Sequence, residues 1–130
     1  MTKRKVLLIE DNALNRALVA ATLRNEYDLL VAATIPEARV LLATHQFDLF
    51  LFDIDVPGGG GAALLQELDA GGRARPPAIA VTALAMVGDR ERLLAAGFDE
   101  YVSKPFDTRA FRATVARLAA VPARGRSKSL

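Results

Sequence analysis

The chain has 130 residues, 52% of them hydrophobic, which suffices for one core and leaves no room for a second folded domain. It contains no cysteine, which excludes a disulfide scaffold, a cysteine-based zinc site and a thiol nucleophile; no apolar run approaches the ~20 residues that span a bilayer and "MTKRKVLLIED" is too weakly apolar for a signal peptide, so a soluble, intracellular protein is expected. The net charge of +2 is uneven: setting aside Lys3, Arg4, Lys5, Arg124, Arg126 and Lys128 at the two ends takes the 17 basic residues to 11 against 15 acidic ones, a balance of −4. With no aromatic residues interleaved, the basic ends read as solvated tails and not as a nucleic-acid surface.

Taken in chain order, "VLLIE" (6–10) predicts a buried strand, and Asn12 is a plausible cap for a helix carrying Leu14, Leu18 and Ala21 at helical spacing. "DLLVA" (28–32) predicts the second strand, with Tyr27 in the turn before it as a packing or surface residue. Thr34 and Glu37, three apart, form a capping box with Pro36 in the first turn. His45, the single histidine, falls between that helix and the third strand "LFLF" (49–52) and reads as a solvated loop residue without a role. A third helix is predicted from about Ala62 to Asp69 and is broken by "GGRARPP". "AIAV" (78–81) is the fourth strand, and a helix with Arg90, Leu93 and Leu94 ends at Gly97, a left-handed cap. "EYVS" (100–103) is the fifth strand. Asp107 caps the last helix, Phe106 and Phe111 suit a hydrophobic staple, Phe111, Val115 and Leu118 mark its buried face, and Pro122 closes it.

Five strands alternating with five helices imply a mostly parallel sheet covered on both faces, because parallel strands need crossovers of helical length. Such strands are apolar throughout, so acids at their ends mark the carboxyl edge, where doubly wound sheets bind ligands. "LFLFDIDVPGGGG" (49–61) is such a strand, ending on Asp53 and Asp55 before a proline and four glycines. Glu10 and Asp11 end the first strand, Thr82 the fourth, and Lys104 follows the fifth. If the strand order is 2-1-3-4-5, the first and third strands are neighbours and bring Glu10, Asp11 and Asp53 together. Three carboxylates so placed repel, and a hard divalent cation such as Mg²⁺ resolves the repulsion and suits a phosphoryl group. Between Val6 and Ala123 arginine occurs ten times and lysine once, at Lys104. A compact ammonium there serves as a point charge for a phosphoryl oxygen.

With "IEDN", "DLFLFDIDVPGGGG", "AVTALAM" and "DEYVSKPF" in this order, the chain resembles the receiver domain of two-component response regulators from about Lys5 to Ala120. The resemblance implies a flavodoxin-like α/β fold with strand order 2-1-3-4-5 and a phosphorylation switch. Asp53 would accept a phosphoryl group from a phosphohistidine on a sensor histidine kinase or histidine phosphotransfer protein. Asp11, Asp53 and the main-chain carbonyl of Asp55 would hold Mg²⁺, with Glu10 nearby or acting through water. Lys104 and Thr82 would contact the phosphoryl group, and Thr82 with Tyr101 would switch a protein-interaction surface formed by the fourth helix, fifth strand and fifth helix.

"EDNALN", "AVTALAM" and "GDRER" are most similar to stand-alone DivK-like receivers and to receivers attached to hybrid histidine kinases. A receiver domain over 1–121 and a disordered basic tail over 122–130 are expected, in a cytoplasmic monomer or weak dimer. It is expected to contact neither membrane nor nucleic acid, and to have at most slow self-dephosphorylation as catalysis. Val56 and Gly60 depart from the family, which usually has methionine before the loop proline and Asp or Asn before the last glycine, and they predict a mobile loop. Three alternatives stand beside this one. "FDIDVPGG" resembles the Asp-x-Asp motif of haloacid-dehalogenase-like phosphatases, although there that strand usually comes first. A flavin binder of this fold would need a phosphate cradle where "EDN" stands. A receiver-shaped interaction module that takes no phosphate is the third.

Overall fold

A computed structural model describes residues 3–57, 60–72, 74–83, 88–104 and 107–121. Five strands alternate with five helices: β1 (Arg4–Ile9), α1 (Ala13–Leu23), β2 (Tyr27–Ala32), α2 (Ile35–Thr44), β3 (Leu49–Asp53), α3 (Gly60–Ala70), β4 (Ala78–Thr82), α4 (Asp89–Ala95), β5 (Glu100–Ser103) and α5 (Thr108–Ala119). The strands form one parallel sheet in the order β2-β1-β3-β4-β5, a flavodoxin-like doubly wound arrangement.

Side chains alternate across each strand, and the two sets build separate cores. Leu7, Ile9, Phe50, Phe52, Ala78 and Ala80 face α2, α3 and α4 through Ile35, Ala38, Leu64, Leu65 and Leu93. Val6, Leu8, Leu49, Leu51 and Ile79 face α1 and α5 through Val19, Leu23, Phe111, Val115 and Leu118. All five residues of β3 and of β4 are buried. Each fully buried Leu or Phe here contributes about 1.5–3 kcal/mol, so the site at the end of β3 stands on a strand buried along its whole length.

The expectation of five buried strands fails at the margins: β2 and β5 are only half-buried, because each is an edge strand with a neighbour on one side. The apolar face expected for α1 is also corrected. Its buried residues are Val19 and Leu23, whereas Leu14 is 82% exposed and Leu18 lies at the surface, since the sheet covers only one stripe of an alanine-rich helix that is apolar on several sides. Asn12 does cap that helix, accepting from the Asn15 N–H. In α2, Thr34 accepts from Glu37 N–H and Glu37 reaches back to the Ala33 N–H, and in α5 Asp107 accepts from Arg109 and Ala110. His45 ends α2 and is half-buried, its Nδ1 3.2 Å from Lys5 Nζ, and Tyr27 opens β2 instead of preceding it. The Phe106 staple, Pro122, the glycines at 58 and 59 and the tail lie outside the described residues.

The third helix begins at Gly60, two residues earlier than the sequence predicts. Gly60 has φ +70°, and a Cβ there would lie 2.1 Å from the Ile54 carbonyl oxygen. A Cβ on Gly61 would lie 2.5 Å from that of Phe52. The two glycines let α3 start directly against the end of β3, and Val56 is buried in the core on that face.

Candidate functional site

The carboxyl edge of the sheet gathers the sequence-predicted acids. Glu10 follows β1, and its N–H bonds to the Ala32 carbonyl, which extends the β1–β2 ladder by one residue and fixes where the side chain leaves the sheet. Asp53 is the last residue of β3 and is held from behind by the Ile54 N–H on Val81. One carboxylate oxygen from each of Glu10, Asp11 and Asp53 comes within 4.8 Å of the others. Glu10 and Asp53 are buried and Asp11 is exposed. Lys104 is placed opposite by its own N–H bonding to the Thr82 carbonyl, and its Nζ lies 2.9 Å from both Glu10 Oε1 and Asp53 Oδ2. The second oxygen of Asp53 accepts the Asp55 N–H at 2.8 Å.

The electrostatics follow from this crowding. Burial raises the Glu10 carboxyl above its ordinary 4.5, the Lys104 ammonium and Asn12 N–H oppose that, and the Asp53 charge adds to it. Burial pulls Lys104 down, but Asp53 and Glu10 more than offset it and hold the ammonium above its ordinary 10.5. Glu10 Oε1 is buried and, although at ion-pair distance from Lys104, has no properly directed hydrogen bond among the described residues. Oxygen donors only, one of them orphaned, with three carboxylates against one ammonium, form a donor set that fits a hard divalent cation.

Thr82 is buried at the end of β4, the strand beside β3. Tyr101 lies half-buried in β5 opposite Ala80, packed against the α2–α3–α4 core. Asp55 is exposed, and its carboxylate accepts the Ala83 N–H at 3.4 Å. Two further residues were not singled out from sequence. Arg16, one turn into α1, donates to the Glu10 carbonyl at 3.0 Å. Arg75, buried at the opposite edge, spans Asp69, Asp99 and the carbonyls of Pro76 and Gly97. Neither belongs to a local motif, and only the fold brings Asp99 and Gly97 to Arg75.

A model of the response regulator receiver domain matches residues 6–116. The chain belongs to that family. This membership decides against the phosphatase and flavin-binding alternatives. The receiver is 37% identical over 117 residues to the polar-differentiation response regulator DivK of Brucella ovis, covering 88% of this chain and 94% of that protein. It is 34% identical over 116 residues to hybrid signal transduction histidine kinase I of Dictyostelium discoideum, covering 82% of this chain but only 7% of that much longer protein. It is also similar to the receiver domain of the Pseudomonas aeruginosa sensor histidine kinase PA1611, which has a magnesium ion coordinated in its active-site cleft (29% identity, TM-score 0.78, covering 92% of this chain and all of that one). As a receiver, the chain is a signalling module of the two-component type, a class that acts as switches and pairs with histidine kinases or phosphotransfer proteins. Among the described residues, no helix is long and apolar enough to cross a membrane.

Proposed function

We propose that this receiver is a phosphoacceptor whose nucleophile is Asp53. The observation that carries the reading is the setting of that carboxylate: buried, at the end of a rigid strand, with Lys104 Nζ at 2.9 Å on one oxygen, the Asp55 N–H at 2.8 Å on the other, and Glu10 and Asp11 alongside. A carboxylate oxygen of Asp53 forms a bond to phosphorus as the P–N bond to the donor histidine of a cytoplasmic kinase or phosphotransfer protein breaks, and the electron pair stays on the imidazole nitrogen, which takes up a proton from water. Lys104 balances the charge that arrives on the phosphoryl oxygens. Thr82 offers its hydroxyl from the neighbouring strand end.

Glu10, Asp11, Asp53 and the Asp55 carbonyl are the residues that would hold Mg²⁺, whose chemistry is to neutralise negative charge between acceptor and phosphoryl group. The output is a shift of Thr82 toward the phosphoryl group and of Tyr101 toward the space it leaves, read on the α4–β5–α5 face by a partner protein. Hydrolysis of the aspartyl phosphate is slow self-dephosphorylation and no further catalysis is assigned. Incubation with acetyl phosphate and Mg²⁺, followed by intact mass, tests the acceptor. Wild type is expected to gain one phosphoryl group and Asp53→Asn none. A gain on the Asn variant would move the acceptor to another residue, and no gain on wild type would leave a receiver-shaped interaction module in its place.

A further inference from the structure

Asp55 does more than offer its main chain. Its N–H donates to Asp53 Oδ1 at 2.8 Å, while its carboxylate Oδ2 accepts the N–H of Ala83 at 3.4 Å. Ala83 directly follows Thr82 at the end of β4, and β4 lies beside β3 with Val81 opposite Asp53. One side chain therefore ties Asp55, just beyond β3, to Ala83, just beyond β4, across the mouth of the proposed acceptor site. The link is long and exposed, so it is weak enough to be exchanged.

We propose that the Asp55 carboxylate is a resident stand-in for a phosphoryl oxygen: it occupies the Ala83 N–H until Asp53 is phosphorylated, and the arriving phosphoryl group must displace it. This rests on the reading of Asp53 as acceptor. The Ala83 N–H already receives an anionic oxygen from the residue two positions after Asp53, and a phosphoryl group on Asp53 carries anionic oxygens to the same mouth. Only one of the two can hold that donor. Asp55 is thus a positioning residue, setting how readily the site fills and releasing the Ala83 N–H when it does. Substitution of its side chain leaves the main-chain N–H on Asp53, so acceptor orientation is retained.

The test uses the full chain as wild type, Asp55→Ala and Asp55→Asn. In the phosphoryl-free protein, the Ala83 amide signal in a ¹H–¹⁵N spectrum is expected to move in Asp55→Ala and to stay near wild type in Asp55→Asn, whose side-chain oxygen still accepts. With acetyl phosphate and Mg²⁺, an Asp53 oxygen bonds to phosphorus as acetate leaves with the electron pair of the broken P–O bond. The initial rate, read by intact mass, is expected to rise about fivefold in Asp55→Ala, and by distinctly less in Asp55→Asn. An unmoved Ala83 signal in Asp55→Ala overturns the competition, as do equal rates for the two variants, which would mean that charge repulsion alone acts. Absence of any mass gain on wild type overturns the acceptor reading and the competition with it, whereas normal gain with an unmoved Ala83 signal removes the competition alone.

Discussion

Replacing Lys104 by methionine, which keeps the length of the side chain and removes its charge, isolates what the ammonium does for the metal-free protein. At an effective dielectric of about 20, each contact of its Nζ at 2.9 Å with Glu10 and Asp53 is worth about 6 kcal/mol of Coulomb attraction. Withdrawing the ammonium from water returns several kcal/mol of that, and the side chain keeps 15% exposure, so the loss on substitution belongs at the low end of values for broken buried pairs, about 3 kcal/mol. Glu10 and Asp53 are then left buried at 0% and 1% exposure with no cation between them. With an m-value of about 1.5 kcal/mol/M, the urea midpoint in EDTA should fall by about 2 M.

Two further arms make the cause specific. Magnesium should stabilise Lys104→Met more than wild type, because the variant's acids lack their internal counter-charge, and in the Asp53→Asn background the same substitution should cost about 1–2 kcal/mol less. A Lys104→Met midpoint in EDTA within about 0.3 M of wild type would refute the reasoning, since it would mean that desolvation cancels both contacts.

Gly60→Ala should cost about 3 kcal/mol or more in thermal or urea unfolding, because φ +70° is combined with a Cβ 2.1 Å from the Ile54 carbonyl oxygen, whereas Gly72→Ala, with φ +72° but nothing within 4 Å, should cost only about 1 kcal/mol. Equal losses would remove the close-approach argument. For Glu100, burial raises the carboxyl but the Tyr101 N–H, Arg90 of α4 and Arg117 of α5 outweigh it, so its folded value lies below the ordinary 4.5. The stability it adds is therefore present above pH 4.5 and lost as pH falls through the lowered folded value; Glu100→Gln should flatten the fall in melting temperature below pH 4.5, modestly because both arginines are exposed, and an unchanged profile would show that the pairs carry no net energy.

The sheet and the acids were legible because they depend on local signals. Runs such as "LFLF" and "AIAV" are apolar at every position, as strands buried on both faces must be, and the acids follow where those runs stop. Caps at Asn12, Thr34 and Asp107 were equally local. What was illegible depends on distance in the chain. Nothing near Arg75 announces that it bonds the carbonyl of Gly97, 22 residues on, or that Asp69 and Asp99 would neutralise it when buried. The exposed Leu14 misled for the converse reason: helical spacing identifies a stripe, but which stripe is buried is set by how α1 lies against β2 and α5, which no residue of α1 encodes by itself.

Gly60 shows how a departure from the family pattern can also be a structural requirement. From sequence, four glycines after Pro57 predict looseness. In the fold, Gly60 accepts a left-handed turn against the Ile54 carbonyl and Gly61 lets the first turn of α3 touch Phe52, so these two positions have no freedom to spare. That contact lies directly behind Asp53, whose own carbonyl would be 3.1 Å from a Cβ on Gly61. Bulk at 61 would press on the main chain of Asp53, and displacements well below 1 Å matter where two hydrogen bonds of 2.8 and 2.9 Å orient the carboxylate of a proposed nucleophile. The start of α3 is therefore part of what holds Asp53 in place, and the small residues there serve the position of the proposed acceptor as much as they serve the turn.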